Sequence, residues 1–176
     1  MEPRLICLIG AECTGKTSLA QTLAGQTGGV WVPEYLRDYC DGHGTPEQSA
    51  QHLILEAQVE RESVALAAAR QQSLPWVLCD TAPLLTAIYS EYYFHDASLY
   101  PQARILHRRY ALSLHLAPDL PWAPDSRQRD GPHTSQPIDQ LIYRELTGLG
   151  YLHVRIGGTG QARQCSAIQA LQSLTG

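Results

Sequence analysis

The stretch that most narrows what this chain can fold into is an apolar run, Leu5-Ile6-Cys7-Leu8-Ile9, followed at once by Gly10-Ala11-Glu12-Cys13-Thr14-Gly15-Lys16-Thr17. A continuous apolar run ended by glycine is the pattern of a strand buried on both faces. The eight residues after it satisfy G-x-x-x-x-G-K-[ST]. The spacing has a mechanical reason. Glycines let the backbone curl until successive N–H groups converge on phosphate oxygens. A helix opening at the end of the loop adds its partial positive charge at the same spot. Lys16 reaches the β- and γ-phosphates as a point charge, and the Thr17 hydroxyl takes a place on Mg²⁺. Gly10, Ala11, Glu12, Cys13, Thr14, Gly15, Lys16, Thr17 and Ser18 are therefore the expected cradle for the phosphates of ATP or GTP, with Mg²⁺. Lys16 is also the one lysine among 13 basic residues. That the only lysine falls on the motif position argues against coincidence.

The rest of the chain alternates strand and helix patterns. A helix is expected from Thr17 to Gln26, with Leu19, Ala20 and Leu23 on one face and Gly28-Gly29 beyond its end. Val30-Trp31-Val32 reads as a second strand stopped by Pro33. Thr45-Pro46-Glu47 reads as a helix start, with Thr as cap and Pro at the first helical position. That helix is expected to run to about residue 72, with Leu53, Ala57, Val64 and Ala68 near one face. Trp76 to Asp80 is a third strand, and a helical stretch to about Tyr110 follows, broken near Asp96 and Pro101. Leu112 to Leu116 is a fourth strand. A helix from about Ile138 to Leu149, a strand from Tyr151 to Ile156, the loop Gly157-Gly158-Thr159-Gly160 and a last helix complete the chain. Between the fourth strand and that helix, Pro118 to Pro137 holds five prolines with Asp, Ser and Arg. Such a segment is a linker or an active-site flap. A strand still follows it, so a domain boundary there would orphan the last strand–helix unit. The expectation is one α/β domain over residues 1–176. Its fold is P-loop kinase-like and doubly wound, a mostly parallel five-stranded sheet with helices on both faces and a Pro/Arg-containing lid at about 118–137.

Bulk composition excludes several classes. Hydrophobic residues make up 44% and charged residues 17%, which fits a folded globular chain. The net charge is −4 and Arg108-Arg109 is the only basic pair, so no nucleic-acid footprint is visible. The five cysteines show no CxxC spacing and are odd in number, which suits reduced thiols and a cytoplasmic location. No run has the length of a signal-peptide core or a membrane span.

Phosphoryl transfer needs a carboxylate to orient or deprotonate the attacking hydroxyl and a second acidic group near the metal. In a parallel sheet both belong just past the carboxyl ends of strands, beside the loop. Glu34 follows the second strand and Asp80 ends the third, where it resembles a Walker B aspartate; which of the two is the base stays open. Tyr35, Arg37 and Asp38 follow Glu34, where Arg37 and Asp38 either face the acceptor or pair with each other. The flap contributes Trp122, Asp125, Arg127 and Arg129. An arginine there, with Arg129 the candidate, can close over the transferring phosphoryl group; a solvated linker arginine is the plain alternative.

Four stretches together resemble the nicotinamide riboside kinase domain of NadR-type proteins, a group of small P-loop kinases with AAA-labelled ATPase relatives. They are Gly10 to Ser18, Val32-Pro33-Glu34-Tyr35-Leu36-Arg37, Cys79-Asp80-Thr81, and Pro118-Asp119-Leu120-Pro121-Trp122-Ala123-Pro124-Asp125-Ser126 with Arg129-Asp130-Gly131. The resemblance implies ATP- and Mg²⁺-dependent phosphorylation of a riboside 5′-hydroxyl. It implies that Trp122, and with it Tyr35, stacks on a pyridinium ring, a flat cation suited to an aromatic face. Asp125 would hold ribose hydroxyls or the ring charge. The family usually has Gly where this chain has Ser126. Two other readings stand beside this one, a deoxynucleoside or nucleoside kinase and a regulatory P-loop ATPase. A guanine-reading Asn-Lys-x-Asp motif is impossible here, because the one lysine is already used.

Overall fold

A computed structural model describes residues 2–122 and 131–175. Its centre is a five-stranded, all-parallel sheet in the order β2-β3-β1-β4-β5, with β1 at Arg4–Ile9, β2 at Val30–Val32, β3 at Trp76–Asp80, β4 at Tyr110–Leu116 and β5 at His153–Ile156. The helices between them are α1 (Lys16–Thr27), α2 (Tyr35–His43), α3 (Gln51–Gln71), α4 (Pro83–Phe94), α5 (Tyr100–His107), α6 (Ser135–Gly148) and α7 (Gly160–Gln172).

The apolar run of β1 has no polar alternation because both of its faces are covered. Leu5, Cys7 and Ile9 join a core with α3, α4, α5 and α6. Ile6 and Leu8 join a second core with Leu19, Ala20 and Leu23 of α1 and Ala167 and Leu171 of α7. Full burial of one such side chain is worth about 1.5–3 kcal/mol, and Ile6, Leu8 and Ile9 are all fully buried. The strand order reverses at β1, whose neighbours β3 and β4 run away from it in sequence on opposite sides. A crevice therefore opens beyond its carboxyl end, where ligands of open parallel sheets bind.

Three expectations need correction. Residues 35–43, given no element above, form α2. The helix expected from Thr45-Pro46-Glu47 begins only at Gln51, after a 3-10 turn at Gln48–Ala50. Its inward face is Gln51, Ile54, Leu55, Gln58, Glu62 and Ala69, while Leu53 and Val64 are exposed. Apolar periodicity points the wrong way because three of the inward positions, Gln51, Gln58 and Glu62, are polar, the last two satisfied by partners far along the chain. The stretch after β3 does break around Asp96, over residues 95–99 with His95 in the left-handed region (φ 55°), but Pro101 lies in the first turn of α5 and breaks nothing. Pro137 lies in the first turn of α6, where its missing N–H has no intrahelical partner to lose.

Candidate active site

The loop between β1 and α1 is shaped by where its backbone has to go. A side chain on Gly10 would meet Thr14 Oγ1 at 2.7 Å and the Leu116 carbonyl at 3.0 Å, so β1 and β4 approach too closely there for any Cβ. Cys13 (φ 58°) and Gly15 (φ 78°) are both left-handed, which turns the chain back on itself before α1 begins at Lys16. Thr14 Oγ1 donates to the Ala11 carbonyl at 2.8 Å and closes the curl. Lys16 Nζ donates to the carbonyls of Gly10 and Ala11, at 3.0 Å each, so the ammonium lies folded across the loop. Ser18 is exposed on α1.

Asp80 ends β3, its Cα paired with that of Leu8 on β1, which brings its carboxylate to the root of the loop. The Thr17 hydroxyl donates to Asp80 Oδ2 at 2.5 Å, while Asp80 Oδ1, buried, has no hydrogen-bond partner among the described residues. A buried carboxylate oxygen left over beside a hydroxyl, at the start of a helix, is a donor set that suits a hard divalent cation. Thr81 follows in the left-handed region (φ 87°), a strained conformation held by its N–H on the Leu8 carbonyl at 3.0 Å.

Glu34 occupies the cap position of α2, two residues past β2, and is buried with 8% exposure. Its side chain makes no capping bond to its own helix. Burial raises its carboxyl above the usual range; Lys16 and Arg37 pull it back and the Asp80 charge pushes it further up. Arg37 Nε lies 3.4 Å from Glu34 Oε2, and Asp38 pairs instead with Arg61 at 2.6 Å, so Arg37 and Asp38 do not pair with each other. The Arg61 guanidinium covers one face of Tyr35, 4.7 Å from the ring centre. Burial raises the phenol of Tyr89 of α4, and the nearby Glu34 and Glu12 charges push it further up.

Trp122, half-buried, lines a cleft of about 260 Å³ together with Glu12, Cys13, Leu120, His133 and Gln136. The two loop residues in that wall place the indole beside the phosphate cradle. Asp125 and Arg129, with Arg127, lie outside the described residues.

Sequence reasoning missed Arg163. It is the only charged residue of α7, which was the available signal. Buried at 5% exposure, it donates to Asp119 Oδ1 (3.0 Å) and to the carbonyls of Gly158 (3.1 Å), Thr14 (3.0 Å) and Ala117 (2.9 Å). One guanidinium thus ties the phosphate loop to the ends of β4 and β5. Burial pulls its pKa down, and the Asp119 charge opposes this.

Among the described residues no helix is long and apolar enough to cross a membrane. No curated protein matches the sequence. Among solved structures, a NadR protein in complex with NR superposes with a TM-score of 0.83 at 22% identity over 99% of this chain and 51% of that one. A NadR protein in complex with NAD and AMP-PNP gives 0.79 at 21% identity, over 98% and 49%. The chain therefore spans about half the length of these NadR chains. Thymidylate kinase from Ehrlichia chaffeensis gives 0.68 at 15% identity over 98% of this chain and 100% of that one. The likeness to NadR noted in the sequence extends to the whole described fold, an all-parallel α/β sheet of the P-loop kinase type. Residues 5–163 match the model of one family, and on that match the chain belongs to the AAA domain family.

Proposed function

We propose that this chain is an ATP–Mg²⁺-dependent kinase that phosphorylates the 5′-hydroxyl of a ribosyl nucleoside, with nicotinamide riboside as the first acceptor. The observation that carries the reading is the convergence of Lys16, the Thr17–Asp80 pair and Glu34 beyond the ends of β1, β3 and β2, with Trp122 in the adjoining cleft. The Glu34 carboxylate accepts the proton of the acceptor hydroxyl as its oxygen attacks the terminal phosphorus, and the bond to the bridging oxygen of the departing diphosphate breaks. Desolvation suits Glu34 to this, because a buried carboxylate holds a proton more readily than a solvated one. Lys16 swings from the loop carbonyls to the phosphates and offsets the charge that builds there. Thr17 and Asp80 would hold Mg²⁺, which supplies charge neutralisation across the phosphate oxygens when bound. Asp125 and Arg129 are proposed to act from a lid, on the ribose side and on the transferring group respectively. The site is proposed to operate in the cytoplasm.

The acceptor assignment rests on chemistry and on likeness. An indole in the same wall as the carboxylate of Glu12 favours a planar cation, and a NadR protein of the same fold is known in complex with NR. Stacking of a cation on Trp122 is worth roughly 1–2 kcal/mol once water is excluded. Trp122→Ala should then raise the KM for nicotinamide riboside about tenfold and affect the ATP KM less. The reduced riboside and thymidine should be poor acceptors of the wild-type protein. The kcat/KM ratio of the cationic to the reduced riboside, measured in both proteins, decides the acceptor; a ratio unchanged by Trp122→Ala removes the nicotinamide assignment. Lys16→Ala is the control, and full phosphoryl transfer in that variant would overturn the kinase reading itself.

A further inference from the structure

Glu62 is a carboxylate that the nucleotide motif does not use. It lies on the inward face of α3 with 0% exposure. Both its oxygens accept from the Tyr110 hydroxyl, at 2.7 and 2.8 Å, and Oε2 also accepts from the Arg109 guanidinium. Gln58, one turn earlier and equally buried, donates through Nε2 to Glu62 Oε1 at 3.1 Å. Its other amide atom, Oε1, accepts the backbone N–H of Tyr35 at 2.8 Å. Tyr35 is the first residue of α2 and the residue after Glu34. An unbroken set of hydrogen bonds thus runs from the start of β4 to the backbone that carries Glu34.

Two physical points make this more than a helix–sheet contact. A carboxylate without solvent costs several kcal/mol to bury, and apolar residues of the same size pack as well. Burial raises the Glu62 carboxyl and Tyr110, Arg109 and Gln58 oppose that rise in part, and their donors meet both of its oxygens, so the buried group is held by hydrogen bonds in one orientation. The second point is at the other end. The first N–H groups of a helix have no partner within it, and a cap residue's side chain reaches those of the second and third residues and not the first. At α2 the cap residue Glu34 makes no such bond, and Gln58 satisfies the first N–H from a neighbouring helix. The Glu34 carboxylate faces Lys16, Asp80 and Arg37, the charges that bear on it.

We propose that Glu62, acting through Gln58, is a positioning residue that holds Glu34 in place to accept the acceptor's proton. The proposal rests on Glu34 being that base. Gln58→Met conserves volume and removes both amide bonds while Glu62 keeps Arg109 and Tyr110. It should lower kcat about tenfold, with the ATP KM within about twofold of wild type, since small misplacements of a reacting group are costly. In a Glu34→Gln background the same substitution should cost nothing further in kcat, because there is no base left to misplace. Glu62→Gln should behave as Gln58→Met does; if it fails to fold, Gln58→Met alone decides. A kcat for Gln58→Met within twofold of wild type overturns the proposal, as does an equal loss in the two backgrounds. Full kcat in Glu34→Gln alone removes both the base and its positioning residue, while leaving phosphoryl transfer, and hence the kinase reading, standing.

Discussion

Glu34 and Asp80 are both buried carboxylates at one corner of the molecule, and their surroundings divide them. Asp80 engages the Thr17 hydroxyl at the helix start and keeps one oxygen unused, which suits a metal. Glu34 touches an arginine and a desolvated wall, which suits proton transfer. Glu34→Gln should therefore lower kcat about 10²-fold with little change in nucleotide affinity. Asp80→Asn should instead raise the Mg²⁺ concentration needed for half-maximal rate. Finding the two phenotypes exchanged would reverse the roles. Glu34 works deprotonated and burial raises its pKa, so kcat should fall as pH drops through a value above the usual carboxylate 4.5. An acid limb at or below that value in the kcat–pH profile would contradict the desolvated base.

At the scale of elements, the positions past strand ends and the Leu19, Ala20 and Leu23 face of α1 were legible in the sequence, and the inward face of α3 was not. The strands could be found because each is a short apolar run with a glycine, proline or aspartate at its end, and the parallel sheet follows from their alternation with helices. Glu34 and Asp80 inherit their places from those strand ends. α2 escaped because it is a nine-residue helix that buries no residue fully, although Leu36, Tyr39 and Cys40 fall at helical spacing. The inward face of α3 escaped because Gln58 and Glu62 belong to it, and their partners Tyr35, Arg109 and Tyr110 are 23 to 48 residues away. Arg163 was invisible for the same reason, its contacts reaching 149 residues back to Thr14. Its removal gives a test at this scale. Arg163→Ala strips partners from Asp119 and from three carbonyls at once. Asp119 is part-exposed, so the cost should be about 2 kcal/mol, below that of breaking a fully buried pair. A fall in Tm of about 5 °C is expected for a chain of this size. Nucleotide KM should rise as well, because the phosphate loop loses its tie to the ends of β4 and β5. A changed Tm with unchanged nucleotide KM would mean that the loop holds its curl unaided.

For the whole molecule, acid is the informative stress. His107 is buried at the end of α5, with Nε2 at 2.9 Å from Ser113 Oγ and its ring against Tyr110 and Tyr151, and burial pushes its pKa down to about 3. The unfolded chain takes up this proton near pH 6.5 and the folded one does not. Stability from this residue is therefore complete above pH 6.5 and is lost as pH falls from there toward 3. Glu34 and Glu62, raised by burial, act in the opposite direction, so a difference measurement is needed. Between pH 7.5 and 4.5 the wild type should lose about 2 kcal/mol more than His107→Gln. Denaturant midpoints at the two pH values check this, and equal losses would show that His107 takes up its proton inside the core without cost. Folding and chemistry are otherwise divided among different side chains, and the start of α2 shows how. Because Gln58 reaches across from α3 to take the first N–H of that start, the backbone beside position 34 is fastened by a neighbouring helix, while the Glu34 side chain lies 3.4 Å from Arg37 of its own helix. Position 34 behaves as a socket: the scaffold holds its backbone from outside, and the side chain plugged in there answers to the charges of Lys16, Arg37 and Asp80 around it.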